Sequence, residues 1–179
     1  MFPVRIETPR LVLREFDPGD VAGVLTWVSD ENVLRFTRCF PQSESDVQRG
    51  LALLRAQRRE MPRVRYEFAV TLADTEELVG WVPFLLEADL RSAEIGWMFA
   101  QAFWGRGYAT EAVCAVWQWA TQTLRLNHAW ARCDARNRAS LVVARKVGMV
   151  PASLPRLEWV KNEWAEYVYF EWERRSTND

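Results

Sequence analysis

The chain has no hydrophobic run approaching the ~20 residues that a membrane-spanning helix needs, so no membrane partner is expected. Histidine is nearly absent, with His128 alone, and the three cysteines, Cys39, Cys114 and Cys133, lie far apart. Without a C-x-x-C or H-E-x-x-H pattern there is no ligand spacing from which to build a metal site. An odd number of distant thiols predicts reduced cysteines in a cytoplasmic protein. The opening Met1-Phe2-Pro3-Val4-Arg5 also lacks the charged-then-apolar layout of a signal peptide. Charge of one sign is missing too: 23 basic residues face 24 acidic ones, for a net charge of −1. A nucleic-acid binder carries a basic excess, so no nucleic-acid partner is expected. No Gly-Lys pair occurs, which excludes a Walker phosphate loop.

What is present fits one globular domain over residues 1–179, with 49% hydrophobic and 26% charged residues. Thr8–Phe16 alternates as a first strand. Asp17-Pro18 then opens a helix, with Asp as cap and Pro in the first turn, and Val21, Val24, Leu25 and Val28 form its inner face. Ser43 or Ser45 can cap a second helix that buries Val47, Leu51 and Leu54 and ends by Met61-Pro62. Its arginines, Arg49, Arg55, Arg58 and Arg59, suit a solvated face or the rim of an acidic-substrate site. Tyr66–Leu72, Glu77–Leu86 and Arg91–Phe99 follow as a meander with short turns. The clearest helical periodicity spans Gly107 to Leu126. A strand Ala129–Asp134, a helix Asn137–Val147 and an aromatic strand Glu163–Glu173 complete the chain. This order implies a mixed sheet with helices on both faces, an α+β (mixed α/β) fold. Most of the ten tryptophans, including Trp27, Trp130, Trp159, Trp164 and Trp172, are expected to be buried.

The segment with chemistry in it is Trp104-Gly105-Arg106-Gly107-Tyr108-Ala109-Thr110-Glu111-Ala112, which joins a strand to the long helix. Two glycines let the backbone turn sharply beside a ligand. The first helical turn offers free N–H groups and a partial positive charge. Together they suit a phosphate or diphosphate, although a plain strand-to-helix turn needs the same glycines. A dinucleotide fingerprint requires Gly or Ala where Thr110 stands.

This motif resembles the GNAT acyltransferase superfamily, in particular its RimJ/RimL-like branch. Other segments resemble the same branch: Thr8-Pro9-Arg10-Leu11-Val12-Leu13-Arg14, Ala93-Glu94-Ile95-Gly96-Trp97, Asn137-Arg138-Ala139-Ser140 with Lys146-Val147-Gly148-Met149, and Trp164 with Tyr167 and Tyr169. The resemblance implies a mostly antiparallel seven-stranded sheet, splayed in the middle, that binds acetyl-CoA. It implies that the main chain of Met98 and Phe99 pairs with the pantetheine arm, that the amides of Gly105, Arg106, Gly107, Tyr108 and Ala109 hold the diphosphate, and that Thr110 also belongs to the cofactor site. Trp104 stands where many members carry Gln or Arg; its indole can pack under the loop but supplies no cation. Asn137 meets the arm or caps its helix.

Acetyl transfer to an amine needs a neutral nucleophile, donors for the developing oxyanion and stabilisation of the departing thiolate. The resemblance makes Glu94 the candidate base, directly or through a water. The alternative is a structural carboxylate paired with Arg91 or Arg132. Ala144 replaces a thiolate-protonating tyrosine found in many members, and Ser140 is the remaining candidate on the leaving-group side, unless it only completes the helix cap. The expected activity is N-acetyl transfer from acetyl-CoA by direct attack in a ternary complex, by a monomer or homodimer. The acceptor is a protein N-terminal α-amine or a small amine such as a polyamine, amino acid or aminoglycoside. An α-amine near pKa 8 is roughly a tenth neutral at pH 7, about 3 kcal/mol easier to deprotonate than a lysine-type amine. A non-catalytic CoA-binding sensor and an ATP- or NAD-binding protein are the alternatives.

Overall fold

The computed structural model describes residues 3–152 and 154–173. Met1 and Phe2 of the opening stretch, and residues 174–179 at the end of the expected domain, lie outside them.

β1 (Arg5–Glu7) and β2 (Leu11–Glu15) form a hairpin, with Arg5 opposite Arg14 and Glu7 opposite Val12. The single strand expected from Thr8 is therefore divided, and Thr8–Arg10 is the turn. Pro9 has no amide to give a ladder. Thr8 closes the turn from both ends: its N–H donates to Leu11 O, and its hydroxyl oxygen accepts from Leu11 N–H, each at 2.9 Å. Asp17 caps a 3₁₀ turn at Pro18–Asp20, which runs into α1 (Val21–Val28). A one-turn helix that the sequence did not announce, α2 (Glu31–Leu34), is capped by Asp30. Ser43 caps α3 (Glu44–Gln57) in a reciprocal box with Asp46. Arg58 at the end of α3 faces inward, its Nε 2.9 Å from Glu15 Oε2.

β3 (Arg65–Leu72) and β4 (Leu78–Leu86) follow as expected. The third meander strand divides into β5 (Ser92–Ile95) and β6 (Met98–Phe99). Both pair with β4 in one register, and the break falls around Gly96, opposite Pro83, which has no N–H to donate. A 3₁₀ turn at Gln101–Phe103 leads to α4 (Tyr108–Thr123). This helix stops short of Leu126 because Arg125 is left-handed, with φ of 54°, which ends the helical hydrogen-bond run. β7 (His128–Asp134), α5 (Arg138–Lys146), β8 (Val150–Pro151), β9 (Arg156–Val160) and β10 (Glu163–Glu173) complete the described chain. β9 and β10 turn on Lys161-Asn162, both at positive φ; a hairpin turn without glycine gives little sequence signal.

Among the described residues the open sheet has ten strands, in the order β1-β2-β3-β4-β5-β7-β10-β8, with β6 on β4 and β9 on β10. Short strands at both edges and the division of β5 from β6 raise the count above the expected seven. Among the described strands only β5 and β7 pair in parallel. Helices cover both faces. Phe68 and Val70 of β3 pack with Ala112, Val113 and Val116 of α4, whereas Ala69 between them packs with Val24, Trp27 and Val47 of α1 and α3. Each such buried valine stabilises the fold by about 1.5–3 kcal/mol relative to exposure. Trp159 and Trp164 depart from the expected burial, at 57% and 65% exposed. They stand opposite each other on the side of the β9–β10 hairpin that faces away from buried Val160, Ala165 and Tyr167.

The functional feature is a split in the sheet. β5 and β7 pair only from Ser92–Glu94 against His128–Trp130. Beyond Glu94 the chain follows β4 into β6, while β7 continues along β10. The sheet opens between β6 and β7.

Candidate functional site

Gly105 and Gly107 adopt φ of 75° and 81°, the left-handed region that favours glycine. These two residues fold the loop over the N-terminus of α4. From Gly105 to Thr110 no main-chain amide meets an acceptor among the described residues, and no side chain caps the helix. Six unpaired donors at the positive end of a helix dipole form an anion cradle.

A carboxylate in that first turn, Glu111, would repel an anion, but it is neutralised. Its Oε1 accepts from the Thr8 hydroxyl at 2.7 Å and from the Arg10 amide at 3.1 Å. Its Oε2 lies 2.6 Å from Arg10 Nε and 2.5 Å from Arg10 Nη2. Burial pushes the Glu111 carboxyl up, but the Thr8 and Arg10 hydrogen bonds outweigh it and leave the group below its ordinary value. Arg10 Nη1 also donates to Arg106 O at 2.9 Å, and its guanidinium lies 4.7 Å from the Tyr108 ring centre. Sequence reasoning missed this cluster. Arg10 and Glu111 are 101 residues apart, and only the unforeseen β1–β2 turn brings Thr8 and Arg10 to α4.

The cradle opens into a cleft of about 690 Å³, within the usual size of a ligand site. Met98, Phe99, Trp104, Gly105, Gly107, Tyr108, Ala109 and Thr110 line it, with Asn137 and Ser140. Arg106 and Glu94, also expected at the site, are not among its lining residues. The cleft also takes in α2 and the segment after it, including Asn32, Phe36 and Thr37.

Strand alternation sorts the β6 main chain. Gly96 N–H donates to Pro83 O and Ala100 N–H to Val79 O, so Met98, midway between them, also turns its main chain to β4. Phe99 turns its own toward the split. Its carbonyl accepts from Trp104 Nε1 at 2.7 Å, which ties the indole to the strand below the loop. On the far wall, Asn137 Oδ1 accepts from Ser140 N–H at 3.1 Å and caps α5. The Ser140 hydroxyl has no partner among the described residues. Ala144 is fully buried in the core.

Glu94 stands at the last rung before the split, half-buried. Burial pushes its carboxyl above the ordinary value, against the pull of Arg132, whose Nε is 3.3 Å from Glu94 Oε1. Of the carboxylates around it, Glu87 adds to that rise and accepts from Trp130 Nε1 at 3.1 Å, while others are matched to arginines. Glu158 meets Arg38 and Arg132 and accepts from the Tyr169 hydroxyl at 2.6 Å. Arg136 pairs with Asp134 at 2.7 Å and Glu163 at 2.8 Å. Among the described residues no helix is long and apolar enough to cross a membrane.

Residues 10–150 match the family described as the acetyltransferase (GNAT) domain. A curated relative, an uncharacterized N-acetyltransferase (YnaD) of Bacillus subtilis, is 29% identical over 93% of this chain and 95% of its own. A structure of RimL, a ribosomal L7/L12 α-N-protein acetyltransferase in complex with CoA, superposes with a TM-score of 0.80 at 18% identity over 95% of this chain and 98% of that one. A spermidine N-acetyltransferase from Vibrio cholerae, in complex with CoA and spermine, superposes at 0.79 with 17% identity over 93% and 96%.

Proposed function

The chain belongs to the GNAT acetyltransferase family and is an N-acetyltransferase; from that premise we propose that it moves the acetyl group of acetyl-CoA to the α-amine of a peptide or protein N-terminus. The observation that carries the donor is the row of unpaired amides from Gly105 to Thr110 at the mouth of a cleft that leads to the split. Such a row fits a diphosphate, and the cleft is large enough for the arm attached to it. Acetyl-CoA supplies an activated acetyl thioester when bound.

The chain's own groups then take separate tasks. The loop amides hold the diphosphate. Phe99 N–H, directed toward the split, donates to the thioester carbonyl. Ser140 offers its free hydroxyl to the departing sulfur; a serine hydroxyl is a far weaker acid than a thiol, so it stabilises a thiolate rather than protonating it. Glu94 receives the amine proton through a water. Burial raises the thiols of Cys39 and Cys114 and pushes Cys133 up to about 12. No described cysteine is therefore an activated nucleophile, which favours direct attack over an acetylated enzyme.

The acceptor follows from charge. A polyamine carries several charges and needs several uncompensated carboxylates; Glu94, Glu158, Asp134 and Glu163 already face arginines, which leaves Glu87 beside Glu94. An α-amine brings one charge and is easily neutralised near pH 7. Acetyl-CoA is mixed with a short peptide bearing a free N-terminus or with spermidine, and free thiol is followed. Release with the peptide well above that with spermidine is expected; the reverse ranking would overturn the acceptor assignment.

A further inference from the structure

The diphosphate cradle is built from a loop that touches little else. A Cβ at Gly105 would meet nothing within 4 Å, and two left-handed glycines leave such a loop many orientations. Among the described residues one side chain hydrogen-bonds to its main chain between Gly105 and Gly107. Arg10 Nη1 holds the carbonyl of Arg106 at 2.9 Å. The peptide from Arg106 to Gly107 is planar and trans, so its carbonyl and its N–H point in opposite directions. Holding Arg106 O on the Arg10 side directs Gly107 N–H to the opposite side. The guanidinium lies close against Gly107, where a Cβ would stand 3.5 Å from Arg10 Nη2.

Arg10 is itself fixed. Glu111 grips Nε and Nη2, Thr8 holds Glu111, and the Tyr108 ring lies against the guanidinium. The same contacts cancel the negative charge of Glu111 in the helical turn that must receive an anion. We propose that Arg10 is the positioning residue of the diphosphate cradle, setting the Arg106–Gly107 peptide and neutralising Glu111, from a hairpin turn outside the cleft. This rests on the acetyl-CoA reading above. It predicts that Arg10 acts on the diphosphate and leaves recognition of the pantetheine arm alone.

The test measures affinities of wild type, R10A and R10K for CoA, for dephospho-CoA and for pantetheine (the arm without the diphosphate), together with melting temperatures. R10A is expected to weaken CoA and dephospho-CoA alike, by about tenfold or more, with pantetheine within about twofold of wild type. R10K is expected to fall between, because one ammonium cannot grip Glu111 and hold Arg106 O in the fixed geometry of a guanidinium fork. CoA affinity unchanged in R10A, or CoA and pantetheine weakened in equal proportion, would overturn the proposal. If R10A does not fold, R10K decides: CoA weakened by about threefold or more at a near-native melting temperature supports it, and wild-type affinity overturns it. A wild-type chain that bound no CoA would overturn the acetyl-CoA reading and this inference together, whereas wild-type binding with an indifferent Arg10 removes the inference alone.

Discussion

Arg132 Nε stands 3.3 Å from Glu94 Oε1, where the parallel seam between β5 and β7 comes apart. Burial lifts the Glu94 carboxyl above its ordinary 4.5, and Arg132 holds part of that rise back. A general base works only when ionised, so the rate should fall as pH drops through this raised pKa. Glu94→Gln is expected to remove that acidic limb from the pH profile and to lower turnover while CoA affinity stays. Measuring kcat/KM against pH for both proteins checks it. An unchanged profile would return Glu94 to a structural partner of Arg132.

Asn137 and Ser140 can be separated because the cap uses the side chain of one and the amide of the other. Asn137→Ala is expected to lower stability by about 1 kcal/mol, the usual worth of a helix cap. Ser140→Ala leaves the amide in place and should hardly move the melting temperature. Its turnover should drop about tenfold or more, ~1.4 kcal/mol in the barrier. Denaturant midpoints and initial rates on both variants test the pair.

Gly80 permits the close contact between β4 and β6. A Cβ there would lie 2.5 Å from the Phe99 ring and 2.7 Å from Met98 O, both on the strand at the split. Gly80→Ala should displace β6, raise KM for acetyl-CoA and destabilise the fold by roughly 1–3 kcal/mol, as overpacking does. A variant with wild-type KM and stability would show that β6 has room to move.

Glu111 carries a pH signature of its own. Its folded pKa lies below the ordinary 4.5, so the folded state favours the ionised form. The resulting stability is present above the unfolded value and is lost as pH falls through the folded one. Glu111→Gln removes it, so the difference in melting temperature between wild type and variant should shrink as pH is lowered from about 4.5. A gap that widened on acidification would contradict the ion pair with Arg10.

The glycine turn, the long helix and the meander were legible because each has a local cause: positive φ at Gly105 and Gly107, a repeating apolar stripe, and alternation between turns. The Asn137 cap and the Asp17-Pro18 helix start were visible for the same reason. What stayed hidden depends on tertiary partners. The Thr8–Arg10 turn looked like strand because Leu11 and Leu13 continue the alternation. Lys161-Asn162 formed a hairpin turn without glycine. Trp159 and Trp164 looked like core because aromatic character marks burial only when something covers the face they occupy. The Arg10–Glu111 clamp, built across 101 residues, has no local signal at all.

The most direct test is a titration of ¹⁵N-labelled protein with CoA and, separately, with pantetheine, following main-chain amide resonances. If the loop grips a diphosphate, the amides of Gly105 through Thr110 shift strongly with CoA and stay in place with pantetheine. Resonances of that segment left unmoved by saturating CoA would contradict the account.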